Sequence, residues 1–245
     1  MSKNFVYGFH AIETLLNTRA QNVEKLLVCD RKDRRAGKVV QRSESLGIPV
    51  ERASQADLDQ LSDNANHQGL LAWFSPQEVC DEAFLKDLVL AEGSQIFLLV
   101  LDEIQDPHNL GACLRSADGA GISAVVTPRR RSAGLTPAVR KVASGAAETV
   151  PLVQVSNLAR MLRWLAEQGI RIIGLSGEGA QSLYDTSLTG PLALVLGGEG
   201  KGLRRLTKDH CEVLAALPMR GAIESLNVSV AAGICLYEAL RQRNV

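Results

Sequence analysis

The sequence lacks the features of a membrane protein and of a secreted protein. The longest strictly apolar run, Ile96–Leu101, has six residues, whereas a membrane-spanning helix needs about 20. The segment that starts at Met1 has no long apolar stretch, so we expect no signal peptide. The five cysteines are an odd number, are widely spaced and include no C-x-x-C pair. These absences predict a cytoplasmic protein with reduced cysteines.

Metal-ligand patterns and excess charge are also missing. The four histidines have no metal-ligand spacing, so we expect no metal ion. Lys plus Arg is 27 and Asp plus Glu is 27, which gives a net charge of zero. This balance argues against a protein whose whole surface attracts nucleic acid, although it leaves room for local basic patches. A chain of 245 residues is long enough to fold around its own core without disulfides or metals.

The helix and strand patterns predict an α/β protein with two domains. Residues 1–75 form a small α/β domain, in which 69–74 is a candidate edge strand. Residues 76–93 are rich in acidic side chains and are predicted to be a linker that contains a short helix. Residues 94–245 alternate strand and helix signals, which predicts a mostly parallel sheet with helices on both faces. Ligands of such sheets bind beyond the carboxyl ends of the strands, so the loops there are the candidate sites.

The first such loop follows the strand that ends at Leu101. Asp106 and Pro107 predict a helix start, with Asp as the cap and Pro in the first position. On this helix Arg115 lies away from the apolar face, one turn beyond Gly111. Arg115 is therefore either a solvated helix arginine or a fixed cation near the strand ends.

The second loop, 197–203, has four glycines in six residues. Such a loop lets the backbone approach a ligand closely and exposes N–H groups. The spacing fits neither a Walker A loop nor the dinucleotide-binding pattern. The carboxylate of Glu199 within this loop could recognise a donor, hold a cation or act as a base. The alternative is a flexible turn without a ligand.

The third loop joins the last strand to the last helix. Ser225, Asn227 and Ser229 cluster where the N–H groups of that helix await partners. One of the three can cap the helix, but three exceed the need of a single cap. The helix itself, 226–243, has apolar residues around most of its circumference, which is typical of a helix buried on more than one side. We therefore expect it to contribute to a homodimer interface.

Together these loops resemble the three motifs of the SpoU family of RNA ribose 2′-O-methyltransferases, a TrmH-like branch of the SPOUT superfamily. The motif Asn-x-Gly-x-x-x-Arg is matched by Asn109, Gly111 and Arg115. The second motif is matched by Gly197, Glu199, Gly202 and Leu203, and the third by 225–231. The resemblance covers about 95–243. The segment around Tyr7, Tyr-Gly-x-His-Ala-Ile, is similar to the start of the N-terminal domain in the ribosomal-RNA branch of the family.

The resemblance implies a fold, a cofactor and a substrate. The fold is a parallel-sheet catalytic domain with a C-terminal trefoil knot, which topology rules alone would not predict. It is preceded by a small α/β RNA-binding domain similar to ribosomal protein L30e. The implied cofactor is S-adenosylmethionine, placed near Gly197, Gly198, Leu217 and Leu226. The implied substrate is the ribose 2′-hydroxyl of a guanosine in 23S rRNA, as free rRNA or as an assembly intermediate.

The resemblance also assigns a catalytic set: Asn109, Arg115, Glu199, Ser225 and Asn227. We expect Arg115 to contact the 2′-oxygen and the adjacent phosphate, because a guanidinium stays protonated and is a poor base. Glu199 and Asn227 would orient Arg115 and the ribose, with Asn109 and Ser225 in support. The alternatives are a tRNA ribose 2′-O-methyltransferase, a non-catalytic RNA-binding protein on the same scaffold, and a phosphate-binding metabolic enzyme.

Basic residues form three clusters that the zero net charge conceals. We expect them to contact RNA phosphates, with binding that weakens as salt rises. The clusters comprise Arg31, Lys32, Arg34, Arg35, Lys38 and Arg42; Arg129, Arg130, Arg131, Arg140 and Lys141; and Lys201, Arg204, Arg205 and Lys208.

Overall fold

The computed structural model describes residues 5–29, 33–75, 78–198 and 202–243. The chain forms two compact units, which divide between residues 77 and 78. In the described part of the chain, no helix is long and apolar enough to cross a membrane.

The first unit is a four-stranded sheet with three helices. The strand order is β1-β4-β2-β3, and β2 and β3 are parallel while the other pairs are antiparallel. The strands are β1 (Phe5–Tyr7), β2 (Val23–Cys29), β3 (Val50–Ala53) and β4 (Leu70–Phe74). The helices are α1 (Phe9–Thr18), α2 (Arg34–Ser45) and α3 (Gln55–Leu61).

The expectation of an edge strand at 69–74 is wrong, because β4 lies between β1 and β2. Leu70, Leu71 and Ala72 are fully buried there. Strand β1 has only three residues, too few for an alternating pattern to be recognised. Two helix starts are capped by side chains: Asp33 accepts from the Arg35 N–H at the start of α2, and Ser54 forms a capping box with Asp57 at α3.

The second unit contains a seven-stranded sheet in the order β7-β6-β5-β10-β8-β11-β9, and all of its pairs are parallel. The strands are β5 (Phe97–Asp102), β6 (Ala124–Pro128), β7 (Leu152–Val155), β8 (Arg171–Leu175), β9 (Gln181–Ser182), β10 (Leu192–Gly197) and β11 (Val213–Ala216). The helices are α4 (Glu82–Glu92), α5 (Pro107–Gly119), α6 (Pro137–Ala143), α7 (Ala146–Thr149), α8 (Leu158–Glu167), α9 (Arg205–Lys208) and α10 (Val228–Arg243).

Separate apolar cores cover the two faces of this sheet. One contains side chains of α5, α6 and α10, including Leu114 and Leu236. The other contains side chains of α4 and α8, including Leu85 and Leu162. The prediction of a parallel sheet with helices on both faces is therefore confirmed. The trefoil knot stays a prediction, since strand order alone does not define how the chain threads.

The predicted linker, 76–93, has a different structure in its larger part. Helix α4 buries Leu85 and Val89 against the second sheet, and the Cys80 N–H donates to the Leu152 carbonyl at 2.8 Å. Residues 78–92 therefore belong to the second unit. The acidic side chains suggested a solvated connection, but Leu85 and Val89, four residues apart, form the apolar face of a packed helix.

Candidate active site

The carboxyl ends of the central strands meet at one edge of the large sheet. Gly197 at the end of β10 pairs with Asp102 at the end of β5, and Ala215 of β11 pairs with Leu175 of β8. Because all of these strands are parallel, the loops that follow them leave from the same edge. The strands that precede the three motif loops therefore all end at this edge.

A side-chain hydrogen bond joins the first motif to the third. Nδ2 of Asn227 donates to Oδ1 of Asn109 at 3.0 Å, and Asn109 is only 8% exposed. Oδ1 of Asn227 accepts from the Ser229 N–H at 2.9 Å and from the Ser229 hydroxyl at 2.7 Å. Asn227 therefore caps α10 and links it to the first turn of α5 at the same time.

The side chains of Arg115 and Ser225 are exposed. Arg115 lies on α5 and forms no hydrogen bond or ion pair with the described residues. Ser225 lies two residues before Asn227, and its hydroxyl is also without a partner among the described residues. Both side chains can therefore reach a ligand without first breaking an internal contact. Glu199, the remaining member of the predicted catalytic set, lies outside the described residues.

The glycines of the second motif permit close backbone packing. A Cβ on Gly197 would lie 2.0 Å from the carbonyl carbon of Gly202, and a Cβ on Gly198 would lie 2.7 Å from the Glu103 carbonyl oxygen. The N–H of Gly198 donates to the Asp102 carbonyl at 2.9 Å. These glycines fold the loop against itself and against the end of β5, a role that the sequence pattern did not reveal.

A buried carboxylate, Asp102, holds this loop to the sheet. Its side chain accepts from the Thr207 hydroxyl at 2.7 Å and from the Arg204 N–H at 3.2 Å. It also pairs with the Arg204 guanidinium at 2.6 Å. Burial, reinforced by this carboxylate, raises the pKa of the nearby Cys211 thiol to about 12. Asp102 is not among the residues predicted from the sequence, although a lone carboxylate at the end of an otherwise apolar buried strand marks it.

The segment that follows β11 has unpaired peptide groups. Within the described part of the chain, no backbone group of 218–226 hydrogen-bonds to another backbone group. Leu217 and Leu226, at the two ends of this segment, are half-buried. Peptide groups in this state bind water or a ligand. A polar ligand held by main-chain contacts and flanked by apolar side chains, such as S-adenosylmethionine, fits this arrangement.

Several cations of the predicted RNA-binding clusters are paired with carboxylates of the same chain. These ion pairs are Arg35 with Glu13, Arg131 with Glu103, Arg140 with Glu148, Arg204 with Asp102 and Glu103, and Lys208 with Glu178. Pairing with Lys208 lowers the pKa of Glu178. In the third cluster, Arg204 fixes the loop around Asp102 through its ion pair with that carboxylate. Arg31, Lys32 and Lys201 lie outside the described residues.

No group of three or more metal-ligating side chains occurs among the residues that the structure describes. Among the described residues, the candidate site presents amide, hydroxyl, guanidinium and main-chain groups. Such groups can bind a polar ligand and an anion, and they can orient a hydroxyl group.

Two family descriptions match the chain. Residues 96–237 match the SpoU rRNA methylase family, and residues 5–80 match the substrate-binding domain of RNA 2′-O ribose methyltransferases. The chain belongs to the SpoU rRNA methylase family. The resemblance predicted from the three motifs is thereby confirmed.

The relatives are similar along the whole chain. The 23S rRNA (guanosine-2′-O-)-methyltransferase RlmB of Photorhabdus laumondii is 50% identical over 240 residues, which cover 98% of each chain. The enzyme of the same name from Escherichia coli strain K12 is 49% identical over the same share of both chains. A crystal structure of an RNA 2′-O ribose methyltransferase superposes with a TM-score of 0.71 at 27% identity, covering all of this chain and 91% of that one.

Proposed function

We propose that this chain transfers a methyl group from S-adenosylmethionine to the ribose 2′-hydroxyl of a guanosine in 23S rRNA. The observation that carries the proposal is the full-length identity of about 50% to enzymes named for this reaction. The Asn109–Asn227 contact supports it, because it joins the first and third family motifs at one edge of the sheet. Action on ribosomal RNA, together with five free cysteines, favours the cytoplasm as its location.

Main-chain groups are the proposed binding site for the cofactor. Gly197 and Gly198 would contact it after β10, and Leu217 and Leu226 would do so from the ends of the unpaired segment. Bound S-adenosylmethionine supplies a methyl group that is already activated by its positively charged sulfur. The protein therefore has to bind and orient the two partners, rather than activate the methyl donor.

Arg115 is the proposed contact to the RNA at the reacting ribose. A ribose hydroxyl is a poor nucleophile. As its oxygen takes the methyl group, the carbon–sulfur bond of the donor would break, S-adenosylhomocysteine would leave and the hydroxyl proton would pass to solvent water. The Arg115 guanidinium stays protonated and donates hydrogen bonds to the neighbouring phosphate and to the 2′-oxygen, where negative charge develops. Its exposed position on α5, without an ion pair among the described residues, suits this role.

Asn109 and Asn227 act as positioning residues in this proposal. Their hydrogen bond fixes the start of α10 relative to α5, the helix that carries Arg115. The Ser225 hydroxyl is free to contact the ribose or the cofactor. The predicted role of Glu199, which is to orient Arg115, stays a prediction.

The first unit is the proposed binding domain for the rRNA, in free form or in an assembly intermediate. Its match to a substrate-binding domain of RNA methyltransferases supports this role. A tRNA substrate has weaker support, because both full-length relatives described above are named for 23S rRNA.

A homodimer is the proposed form of the protein. Val230 and Tyr237 are 50% and 54% exposed, and their spacing of seven residues places them on one side of α10. The opposite side of α10 is buried in the core through Ala232 and Leu236. Light scattering should give about twice the chain mass of 26.4 kDa. Val230→Glu should give monomers, whereas Leu90→Glu, at an exposed apolar position on α4, should not.

Methyl transfer to defined RNAs tests the proposal. The full chain is incubated with S-adenosylmethionine labelled in the methyl group and with unmethylated transcripts of 23S rRNA or tRNA. The modified nucleotide is located by its resistance to alkaline hydrolysis, because a 2′-O-methyl group blocks cleavage at that linkage. We expect one labelled guanosine in 23S rRNA and loss of the label with Arg115→Ala. RNA binding without transfer would identify a non-catalytic protein, and label only in tRNA would contradict the rRNA assignment.

A further inference from the structure

The first unit contains a surface cavity that none of the motifs includes. Its volume is about 420 Å³, which is within the usual range of small-ligand sites. The apolar part of its wall consists of Val28, Ala36 and Val40. Arg34, Arg52, Asp33 and Gly37 line the remainder. Apolar surface with a few charged groups at the edge is the composition expected of a ligand site.

The cavity lies at the carboxyl ends of the two parallel strands of the first sheet. Val28 of β2 pairs in register with Arg52 of β3, and α2 connects these two strands across the cavity. Strand β3 is at the edge of the sheet, so it has a neighbour on one side only. In open α/β sheets, ligands bind at this end of the strands.

The charged groups around the cavity differ in how much they are already engaged. Arg34 is exposed and forms no ion pair with the described residues. Its neighbour Arg35 is occupied, because it forms two hydrogen bonds with Glu13, at 3.2 and 2.8 Å, and lies over the Phe9 ring. Asp33 accepts the Arg35 N–H through Oδ1 at 2.7 Å, which leaves its second oxygen available to a ligand.

We infer that this cavity binds a single unpaired nucleotide of the RNA substrate. The apolar wall and a guanidinium plane can hold a base by stacking. The free oxygen of Asp33 can accept a hydrogen bond from a base N–H group, and the Arg34 guanidinium can bind the adjoining phosphate. Unpaired, splayed-out nucleotides are the elements that proteins recognise most specifically in RNA. This inference rests on the proposed function, because it assumes an RNA substrate.

A cavity-filling variant tests the inference without changing the charge. No atom outside the local backbone lies within 4 Å of a Cβ placed on Gly37, so Gly37→Leu can fill the cavity without a clash. Gln41→Leu is the matched control, because Gln41 is exposed on the same helix and does not line the cavity. We expect Gly37→Leu to weaken binding of the full chain to an unmethylated 23S rRNA transcript by about tenfold, the scale of one lost stacked base. Gln41→Leu should bind like the unaltered protein.

The salt dependence of binding separates the base contact from the phosphate contact. Arg34→Gln should weaken binding and reduce the slope of log affinity against log salt by about one, as expected for one lost phosphate contact. Gly37→Leu should leave that slope unchanged. Arg163→Gln, an equal change of charge at an exposed position on α8 outside the three basic clusters, should leave both the affinity and the slope unchanged.

Direct contact can be located by photocrosslinking with 23S rRNA that contains 4-thiouridine or 6-thioguanosine. We expect crosslinks to peptides that span 33–40 in the unaltered protein and their loss in Gly37→Leu. Equal RNA affinity of Gly37→Leu and the unaltered protein, with both folded by thermal melting, would overturn the inference, as would absence of binding to 23S rRNA. Binding does not require turnover, so a protein that binds through the cavity but transfers no methyl group would contradict the proposed function alone.

Discussion

A hydrogen bond of 3.0 Å joins Asn227 to Asn109, although 118 positions separate the two residues in the sequence. The contact uses both ends of one amide group, since Nδ2 of Asn227 reaches Asn109 while Oδ1 caps α10 through Ser229. The beginning of the last helix is thereby fixed to the beginning of α5. The predicted catalytic set includes Asn109 and Arg115 on α5 and Asn227 at the cap of α10, so the relative position of the two helices controls the geometry of the candidate site.

Asn227→Ser separates the two roles of this amide. Serine caps helices about as well as asparagine, but its side chain is too short to replace Nδ2. Oδ1 of Asn109 would then lose the hydrogen bond from Asn227, and an internal hydrogen bond contributes about 1 kcal/mol to stability. We expect methyl transfer, measured as kcat/KM for RNA, to fall about tenfold or more, while the melting temperature falls by only about 2–4 °C for each kcal/mol lost.

The matched control for this variant is Asn157→Ser. Asn157 caps α8 by accepting from the Arg160 N–H at 3.0 Å, and it has no part in the candidate site. It should retain full activity. Equal activities of the two variants would show that the Asn109–Asn227 contact has no role in positioning.

Arg115→Lys tests whether geometry or charge alone matters at this position. Lysine keeps the positive charge but cannot form the paired, planar hydrogen bonds of a guanidinium. We expect kcat/KM for RNA to fall at least about tenfold, with unchanged binding of S-adenosylmethionine in calorimetry. Arg163→Lys, at an exposed arginine on α8, should have no effect. Near-normal turnover of Arg115→Lys would contradict the proposed contact to phosphate and 2′-oxygen.

Most of the fold of the second unit was predictable, because its signals are strong and local. The strand over Leu152–Val155 and the Asp106 cap agree with the sequence patterns in position and in chemistry. The short elements escaped detection, since α7 and α9 have four residues each and β9 has two. Elements of this length contain about one period of a helical or strand pattern, which is too little for the periodicity to be recognised.

The parts of the candidate site that carry sequence motifs could be predicted, whereas the parts that depend on tertiary contacts could not. The three loops were located from glycine and polar residues near strand ends. The Asp102–Thr207 hydrogen bond spans 105 positions, and no sequence spacing indicates it. The same holds for Arg204, which was expected to bind RNA phosphate but forms ion pairs with Asp102 and Glu103.

Asp102→Asn should loosen the loop of the second motif. The variant removes the charge that pairs with Arg204 and leaves the buried hydrogen-bonding groups around position 102 poorly matched. This mismatch lowers the free energy of unfolding by about 1–3 kcal/mol. We expect a lower midpoint in urea unfolding and weaker binding of S-adenosylmethionine. Glu51→Gln is the control, because it disrupts the exposed pair with Lys25, a type of contact that contributes at most about 1 kcal/mol.

The Cys211 thiol provides an independent readout of the same variant. Burial and the Asp102 carboxylate raise its pKa to about 12, so the thiolate that reacts with iodoacetamide is scarce below that pH. Removing the negative charge should lower this pKa, and alkylation of Cys211 in the folded variant should begin at lower pH. Peptide mass spectrometry measures the pH profile. An unchanged profile would show that Asp102 does not influence Cys211.

Gly111→Ala should destabilise the protein even though alanine favours helices. A Cβ at this position would lie 2.7 Å from Cβ of Val142 and 2.8 Å from the Val139 carbonyl oxygen, so α6 would have to move away from α5. Overpacking of this kind costs about 1–3 kcal/mol. Gly37→Ala on α2 meets no such obstacle and should stabilise by up to about 1 kcal/mol. Opposite shifts of the urea midpoint in the two variants would establish that the family glycine of the first motif is required for helix packing. A shift in the same direction would contradict this.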